Sequence, residues 1–383
     1  MKRKVDDFFL KLPDNATKVK IDIFKKYFGI YFKIIDSTRK NLKLNKTIKI
    51  IDLFSGPGYF IDETIGSVFD STPIHILENC VNNNYSDLQF FFNDYNNYHI
   101  ELLKEKINKS FLNLEYKIEY SITDARQVNL DSIISSNDIV VSLVDSYSYL
   151  GLDKYTINKL VSNQYSDVVC YFRISNILEH IGNNNEKNNH ILLFGNEEKY
   201  NEVLEIKNNN NLQQNQKVDK VIKILIENIN SYGPTKYFLP FFIKYSSEDT
   251  KIESVIMIIS KNIIGLEKIK DMVKDIHISE GKFYSFNGAY KGRISLFDFE
   301  KDNIIEYIGN KYINSNQLLE NINNDYITKY GYISAYSLQY IKNKLIGLEN
   351  ENKLDIKYLS TRKRRTGTFS EKTIFCLKET KNG

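Results

Sequence analysis

The chain has 383 residues, 42% of them hydrophobic, 26% charged and 13% aromatic, with a formal net charge of +4. This is a globular composition with ample core material, and the length suits one large domain or two ordinary ones. No apolar run approaches the roughly 18 residues of a membrane span, and no long apolar segment follows MKRKVDDFF as in a secretory signal, so the expected location is cytoplasmic.

Cys80, Cys170 and Cys376 lie far apart and form neither a CxxC pair nor a Cys/His metal spacing, so no metal is expected and reduced thiols are. The charge is uneven. Residues 290–383 hold 16 Lys/Arg against 11 Asp/Glu, whereas the rest holds 36 against 37. Excess positive charge at the C-terminal end can draw in phosphates or simply keep the chain soluble.

In chain order, Val19–Ile35 has apolar residues at helical spacing. Thr47–Phe54 reads as a strand, and a helix is expected after Tyr59. Leu88–Phe92 is a short apolar run ending at Asn93-Asp94, and His99–Ile107 suits a helix. Tyr116–Ile122 alternates as a strand before Thr123-Asp124-Ala125. Asp138–Val144 is a buried-type strand ending at Asp145, Val168–Ile174 is another, and Lys236–Tyr245 with Glu253–Ser260 read as a late pair. The tracts Asn183-Asn-Asn185 and Asn208–Asn211 read as a solvated loop interruption, about 183–216, without chemistry. Strands separated by helices predict an α/β fold, a mostly parallel Rossmann-like sheet with helices on both faces.

In such sheets a ligand binds beyond the carboxyl ends of the strands. Four strand ends carry an acid: Asp52, Asp94, Asp124 and Asp145. Between the first strand and Tyr59 lie Phe54, Ser55, Gly56, Pro57 and Gly58. The glycines let a backbone approach a ligand closely, and a following helix would aim its free N–H groups there. No Gly-Lys-Ser/Thr follows, and Ile61 stands where GxGxxG needs its last glycine. An acid before the loop repels pyrophosphate and suits an ammonium, as on the methionine arm of S-adenosylmethionine. Asp94 is then placed for ribose hydroxyls, Asp124 for the adenine amino group, and the Ala125 N–H for a ring nitrogen. This is the arrangement of class I S-adenosylmethionine-dependent methyltransferases. A ligand-free strand-to-helix turn is the plainer alternative.

Several segments together resemble the three-Cys-motif partner (TcmP) family: IDLFSGPGYF followed by Gly66-Ser67; FFNDYNN at Phe91–Asn97; Val144–Leu152; MIISKNIIGLEKIKDM at Met257–Met272; and RTGTFSEKTIF at Arg365–Phe375. Their order spans most of the chain. The resemblance implies a Rossmann-like methyltransferase domain, residues 1–285, with a winged-helix-like domain over 290–383. It also implies a three-Cys-motif partner protein. Where the family has Asp-Pro, an aromatic and glycine after its fourth strand, this chain has Asp145-Ser146, with Ser148 at the later glycine. Val68 replaces a proline after Gly66-Ser67.

Methyl transfer is a direct displacement that needs alignment of acceptor and methyl group. Asp145 is the candidate for orienting an amine or hydroxyl. Tyr147 and Tyr149 are candidates for stacking on a planar acceptor, or for ordinary packing, since the chain has 27 tyrosines. Arg173 and Asn176 follow the fifth strand and could face the substrate or the surface. DSYS is not the proline motif of amino-group nucleobase methyltransferases, and no Pro-Cys offers a cytosine nucleophile. Cys170 reads as core, and neither His180 nor His190 is nominated as a base.

Helical periodicity recurs from Asn303 and over Ile333–Leu348. Leu354–Leu359 and Thr373–Leu377 then read as strands flanking a basic turn with Arg362, Lys363, Arg364 and Arg365. Such a wing can contact nucleic-acid phosphates or serve as a protein-binding module. The functional expectation is an S-adenosylmethionine-binding, methyltransferase-like protein acting on nucleic acid with a partner. A non-catalytic subunit and a small-molecule methyltransferase are the alternatives.

Overall fold

The computed structural model describes residues 10–11, 15–62, 67–146, 153–244, 252–276, 304–361 and 363–378. Helix α1 (Asn15–Asn41) opens it, and its buried stripe of Phe24, Phe28 and Phe32 recurs once per turn. Strand β1 (Ile48–Asp52) follows, then a hairpin of β2 (Tyr59–Asp62) and β3 (Ser67–Asp70), and helix α2 (Thr72–Asn82).

The helix expected right after Tyr59 is therefore corrected to an antiparallel hairpin. Tyr-Phe-Ile and Val-Phe are aromatic and β-branched, types that favour strands. Helix α2 begins later, at Thr72, with Pro73 in its first turn. The excursion closes on itself, because the Ser71 N–H donates to the Gly58 carbonyl at 2.9 Å. The helix thus still starts beside the glycine loop.

The alternation then runs β4 (Leu88–Asn93), α3 (Asn97–Ser110), β5 (Lys117–Ser121), α4 (Leu130–Ile133), β6 (Ile139–Asp145), α5 (Lys154–Leu160), β7 (Asp167–Phe172) and α6 (Ile174–His180). Next come α7 (Lys187–Phe194), α8 (Glu197–Asn208) and α9 (Gln214–Asn230), then β8 (Tyr237–Lys244), β9 (Ile252–Ser260) and α10 (Ile263–Ile276).

The expectation of a plain loop over 183–216 is also corrected, since α7 and α8 lie between the asparagine tracts. Leu193, Phe194, Tyr200, Val203 and Ile206 from these helices enter the core. The asparagines mark boundaries: Asn196 caps α8 by accepting the Lys199 N–H at 2.8 Å.

Seven strands form one sheet in the order β5-β4-β1-β6-β7-β9-β8. The first five are parallel, β9 runs antiparallel to β7, and β8 antiparallel to β9. This is the Rossmann-like, mostly parallel sheet the sequence predicts, with helices on both faces. One apolar cluster fills the face under α5 to α9, the other the face under α1 to α3 and α10. Chain order reverses between β1 and β6, which makes their carboxyl ends the place for a ligand.

Helices α11 (Ser315–Tyr330) and α12 (Leu338–Asn350) and an antiparallel pair, β10 (Leu354–Tyr358) and β11 (Thr373–Leu377), surround a third cluster. This unit is joined to the sheet. Ile333 donates its N–H to the Phe238 carbonyl at 3.0 Å. The fully buried Lys270 ammonium on α10 donates to Glu267 at 2.6 Å and to Asn323 of α11 at 3.1 Å. Among the described residues no helix is long and apolar enough to cross a membrane.

Candidate functional site

At the carboxyl end of β1 the chain turns over its own acid. An Asp52 carboxylate oxygen accepts the Phe54 N–H at 3.0 Å, and the residue is 1% exposed. Burial pushes its pKa well above the usual carboxylate range. The Phe54 hydrogen bond opposes this, the charges of Asp145 and Asp94 add to it, and Lys20 opposes it. Asp52 is therefore closed off from solvent, and any pull on a ligand ammonium acts through space. Phe54 packs against the core. Buried Ser55 donates twice to the Asn93 carbonyl, from its N–H at 2.9 Å and its hydroxyl at 3.1 Å.

The two glycines divide the task expected of both. Gly56 has φ +62°, and a Cβ there would meet nothing within 4 Å, so this is the open point of the loop. Gly58 has φ +85°, but a Cβ there would lie 2.7 Å from Leu103 Cδ1. Its missing side chain makes room for α3, not for a ligand. Pro57 between them is buried.

The loop is tied to the neighbouring strand end. The Gly56 N–H donates to Asp94 Oδ2 at 3.0 Å, while Asp94 Oδ1 accepts the Asn96 N–H at 2.7 Å and lies 3.2 Å from Nδ1 of buried His99. A carboxylate offers about four acceptor positions. The chain meets Oδ1 twice and Oδ2 once, which leaves Oδ2 an acceptor position for a ribose hydroxyl. Asn93, fully buried, joins three strand ends. Its amide donates to the carbonyls of Leu53 at 3.0 Å and Thr123 at 2.9 Å, and its oxygen accepts the Thr123 N–H at 3.2 Å.

Asp124, past β5, is held by Arg126, with Nη2 to Oδ2 at 2.7 Å and Nε to Oδ1 at 3.1 Å. The Arg126 side-chain hydrogen bonds hold its carboxyl below the usual range. Ala125 beside it is buried in the core. Asp145, at the end of β6, is paired with Lys20 of α1, whose ammonium lies 2.8 Å from one oxygen and 2.7 Å from the other. The structure thus places Asp94 and Asp145 close enough to Asp52 for their charges to act on it. Asp124 stands on the edge strand and is turned to its own arginine. With strands about 4.8 Å apart, the four ends from β5 to β6 span about 14 Å, room for a nucleoside with an amino-acid arm.

Tyr147 and Tyr149 lie outside the described residues, as do Ser148, Gly66 and Arg362. Cys170 is buried in β7, as its apolar strand suggests. Arg173 and Asn176 are half-buried at the start of α6. Among the described residues no group of three or more His, Cys, Asp or Glu is arranged to hold a metal. Lys20, Asn93, His99 and Arg126 also belong to this edge, beyond the residues expected from the sequence. The last two have a local signal, a polar residue five or two positions from an acid. Lys20 has none, since it reaches Asp145 across 125 residues.

On the β10–β11 connection Arg364 is turned inward. It forms a two-pronged pair with Glu349 at 2.6 and 2.8 Å and donates to the Thr368 carbonyl at 2.9 Å. Its guanidinium also lies 4.9 Å from the centre of the Phe369 ring. Arg364, one of the four cations expected to contact phosphates, thus serves as a structural tie to Glu349. Lys363 and Arg365 are exposed.

No family model matches the chain, and no curated protein matches it. Solved structures do share its outline. A protein from Legionella pneumophila is similar at 9% identity and TM-score 0.40, covering 67% of this chain and 91% of its own. The plantazolicin methyltransferase BamL, in complex with a desmethyl analogue and SAH, is similar at 10% identity and TM-score 0.32, covering 64% and 84%. A precorrin-6y C5,15-methyltransferase from Geobacter metallireducens is similar at 12% identity and TM-score 0.27, covering 59% and 86%. The likeness is one of outline.

Proposed function

We propose that the chain binds S-adenosylmethionine along the carboxyl edge from β5 to β6 and acts as a methyltransferase-like protein. One observation carries this reading: the open, left-handed Gly56 is tied by its N–H to Asp94 beside the β1/β6 switch point. A loop held this way presents bare backbone next to an acidic edge, which suits a ligand that is a nucleoside at one end and a cation at the other. Asp94 Oδ2 would accept a ribose hydroxyl. Asp94 would favour the ammonium and sulfonium charges, since burial drives Asp52 toward its neutral form and Asp145 is paired with Lys20. The chemistry supplied by the bound donor is an activated methyl group, and the chain's part is to align an acceptor and keep water away.

The acceptor in this reading is nucleic acid, drawn in by a winged-helix-like unit over 290–383 joined to a methyltransferase domain over 1–285. Exposed Lys363 and Arg365 after two helices support it. The resemblance to three-Cys-motif partner proteins supports a protein partner of that kind.

Calorimetry with S-adenosylmethionine and S-adenosylhomocysteine tests the core of the reading. Saturable binding, lost or weakened at least tenfold in Asp94→Ala, is the expected result. Absence of binding to the folded wild type removes the proposal.

A further inference from the structure

We propose that Lys20 belongs to the reaction centre and that the acceptor it serves is a hydroxyl oxygen, not an amine. This rests on the S-adenosylmethionine reading above. Lys20 enters from α1 and holds both oxygens of Asp145, at 2.8 and 2.7 Å. Its ammonium also lies 4.6 Å from the centre of the Tyr171 ring. Strand register sets Tyr171 opposite Asp145, so cation, carboxylate and ring form one cluster across β6 and β7. The Lys20 and Asp145 side chains are only 12% and 15% exposed.

A largely buried ion pair is an expensive way to hold a helix, because both charges lose water. Helix α1 is already anchored by Phe24, Phe28 and Phe32, all buried to 1% exposure or less. The pair instead sits where a ligand is expected. In the β1–β6 register Asp52 pairs with Leu143, so Asp145 stands two residues further toward the open edge, next to the glycine loop. An ammonium carries three N–H donors. Asp145 Oδ1 accepts one, Oδ2 lies 2.7 Å away, and no other carbonyl or carboxylate among the described residues takes a donor from it.

That spare donor selects the acceptor. A protonated amine brought beside Lys20 is repelled. A hydroxyl fits both partners, since its oxygen accepts the spare Lys20 N–H while its proton is given to Asp145. In the step itself a lone pair on the hydroxyl oxygen forms the new O–CH3 bond as the S–CH3 bond breaks. The electron pair of the broken bond stays on sulfur and leaves neutral S-adenosylhomocysteine. The hydroxyl proton passes to the Asp145 carboxylate and from there to water. The Lys20 N–H steadies the negative charge gathering on oxygen. Internal nucleotides of DNA have no free hydroxyl, so on nucleic acid the acceptor is the ribose of RNA.

The test uses the full chain, tritium-labelled S-adenosylmethionine, and a mixed-sequence oligoribonucleotide beside its deoxy counterpart. Digestion to nucleosides then assigns the label to ribose or base. The expected result is ribose label on the RNA probe only. Lys20→Met should lower transfer about 100-fold, the scale of one lost donor to an oxyanion, while the calorimetric Kd for S-adenosylmethionine stays within about threefold and Lys20→Arg recovers part of the rate. The mapping needs no variant, so it stands even if Lys20→Met does not fold. Label on a base, label on DNA, a Lys20→Met enzyme as fast as wild type, or donor binding without transfer to either probe overturns the proposal. A wild type that binds no S-adenosylmethionine instead removes the reading beneath it, and the two failures are told apart by the calorimetry.

Discussion

The backbone N–H of Gly56 and the carboxylate of Asp94 are 3.0 Å apart, 38 residues apart in the chain, and their bond closes the loop after the first strand onto the end of the second. Asp94 is in turn braced by the Asn96 N–H and by His99. The shape of the loop therefore depends on a residue outside it.

Gly56→Ala tests this arrangement. No atom obstructs the new Cβ, so only the left-handed backbone resists, at about 1 kcal/mol. Gly58→Ala adds a clash with Leu103 to the same backbone strain and is expected to cost about 2–3 kcal/mol. Denaturant midpoints should rank wild type, Gly56→Ala, then Gly58→Ala. Donor affinity should nevertheless fall in Gly56→Ala, which keeps most of its stability. Equal stability losses in the two variants would contradict the division between an open glycine and a packing glycine.

Asn93 makes three buried hydrogen bonds to loops on either side. Asn93→Ala leaves two carbonyls and one N–H without their partner, at about 1–3 kcal/mol for each buried group. A total loss of several kcal/mol in urea unfolding is expected. Hydrogen exchange should quicken at Thr123 more than in β7, which the side chain does not touch.

Asp167 lies at the opposite end of the sheet, buried, and accepts the Tyr27 hydroxyl at 3.2 Å. Burial pushes its pKa up to about 6 from 3.8, although hydrogen bonds from Ser260 and Tyr27 oppose this. The folded chain therefore holds this proton more tightly than the unfolded one. Its contribution is fully favourable below about pH 4 and is lost as pH rises to about 6, an effect of roughly 3 kcal/mol at most. Asp167→Asn should be relatively more stable at pH 8 than at pH 4.5, measured against wild type by urea midpoint. The same difference at both pH values would show that the group does not titrate in this window.

The basic turn should separate into two behaviours. Arg364→Ala strands the Glu349 carboxylate beside the Gly367 N–H, which donates to it at 3.1 Å, and is expected to cost about 2 kcal/mol. Lys363→Ala with Arg365→Ala should leave the melting temperature within about 1 °C of wild type, as surface changes usually do. That double variant should nonetheless bind an RNA duplex more weakly and lower the salt slope by about two. Unchanged binding with an unchanged slope would argue for a protein-binding role for this turn.

Local patterns in the sequence determined the parallel strands, the acids at their ends and the late strand pair. Each is written in a short window, an apolar run halted by a polar residue or glycine, and such windows bias the backbone wherever they sit. The same windows could not distinguish Gly56 from Gly58, because the difference is made by Leu103 of a later helix. Nor could they reveal that Lys20 reaches Asp145, that Asn93 ties three loops, or that Arg364 turns inward to Glu349 while Lys363 and Arg365 stay exposed. Those pairings join residues far apart in the chain, and a side chain's partner is settled only when packing fixes which face of its helix or strand meets which neighbour. Strand and helix follow from local preference, whereas the direction of each charge belongs to the folded whole.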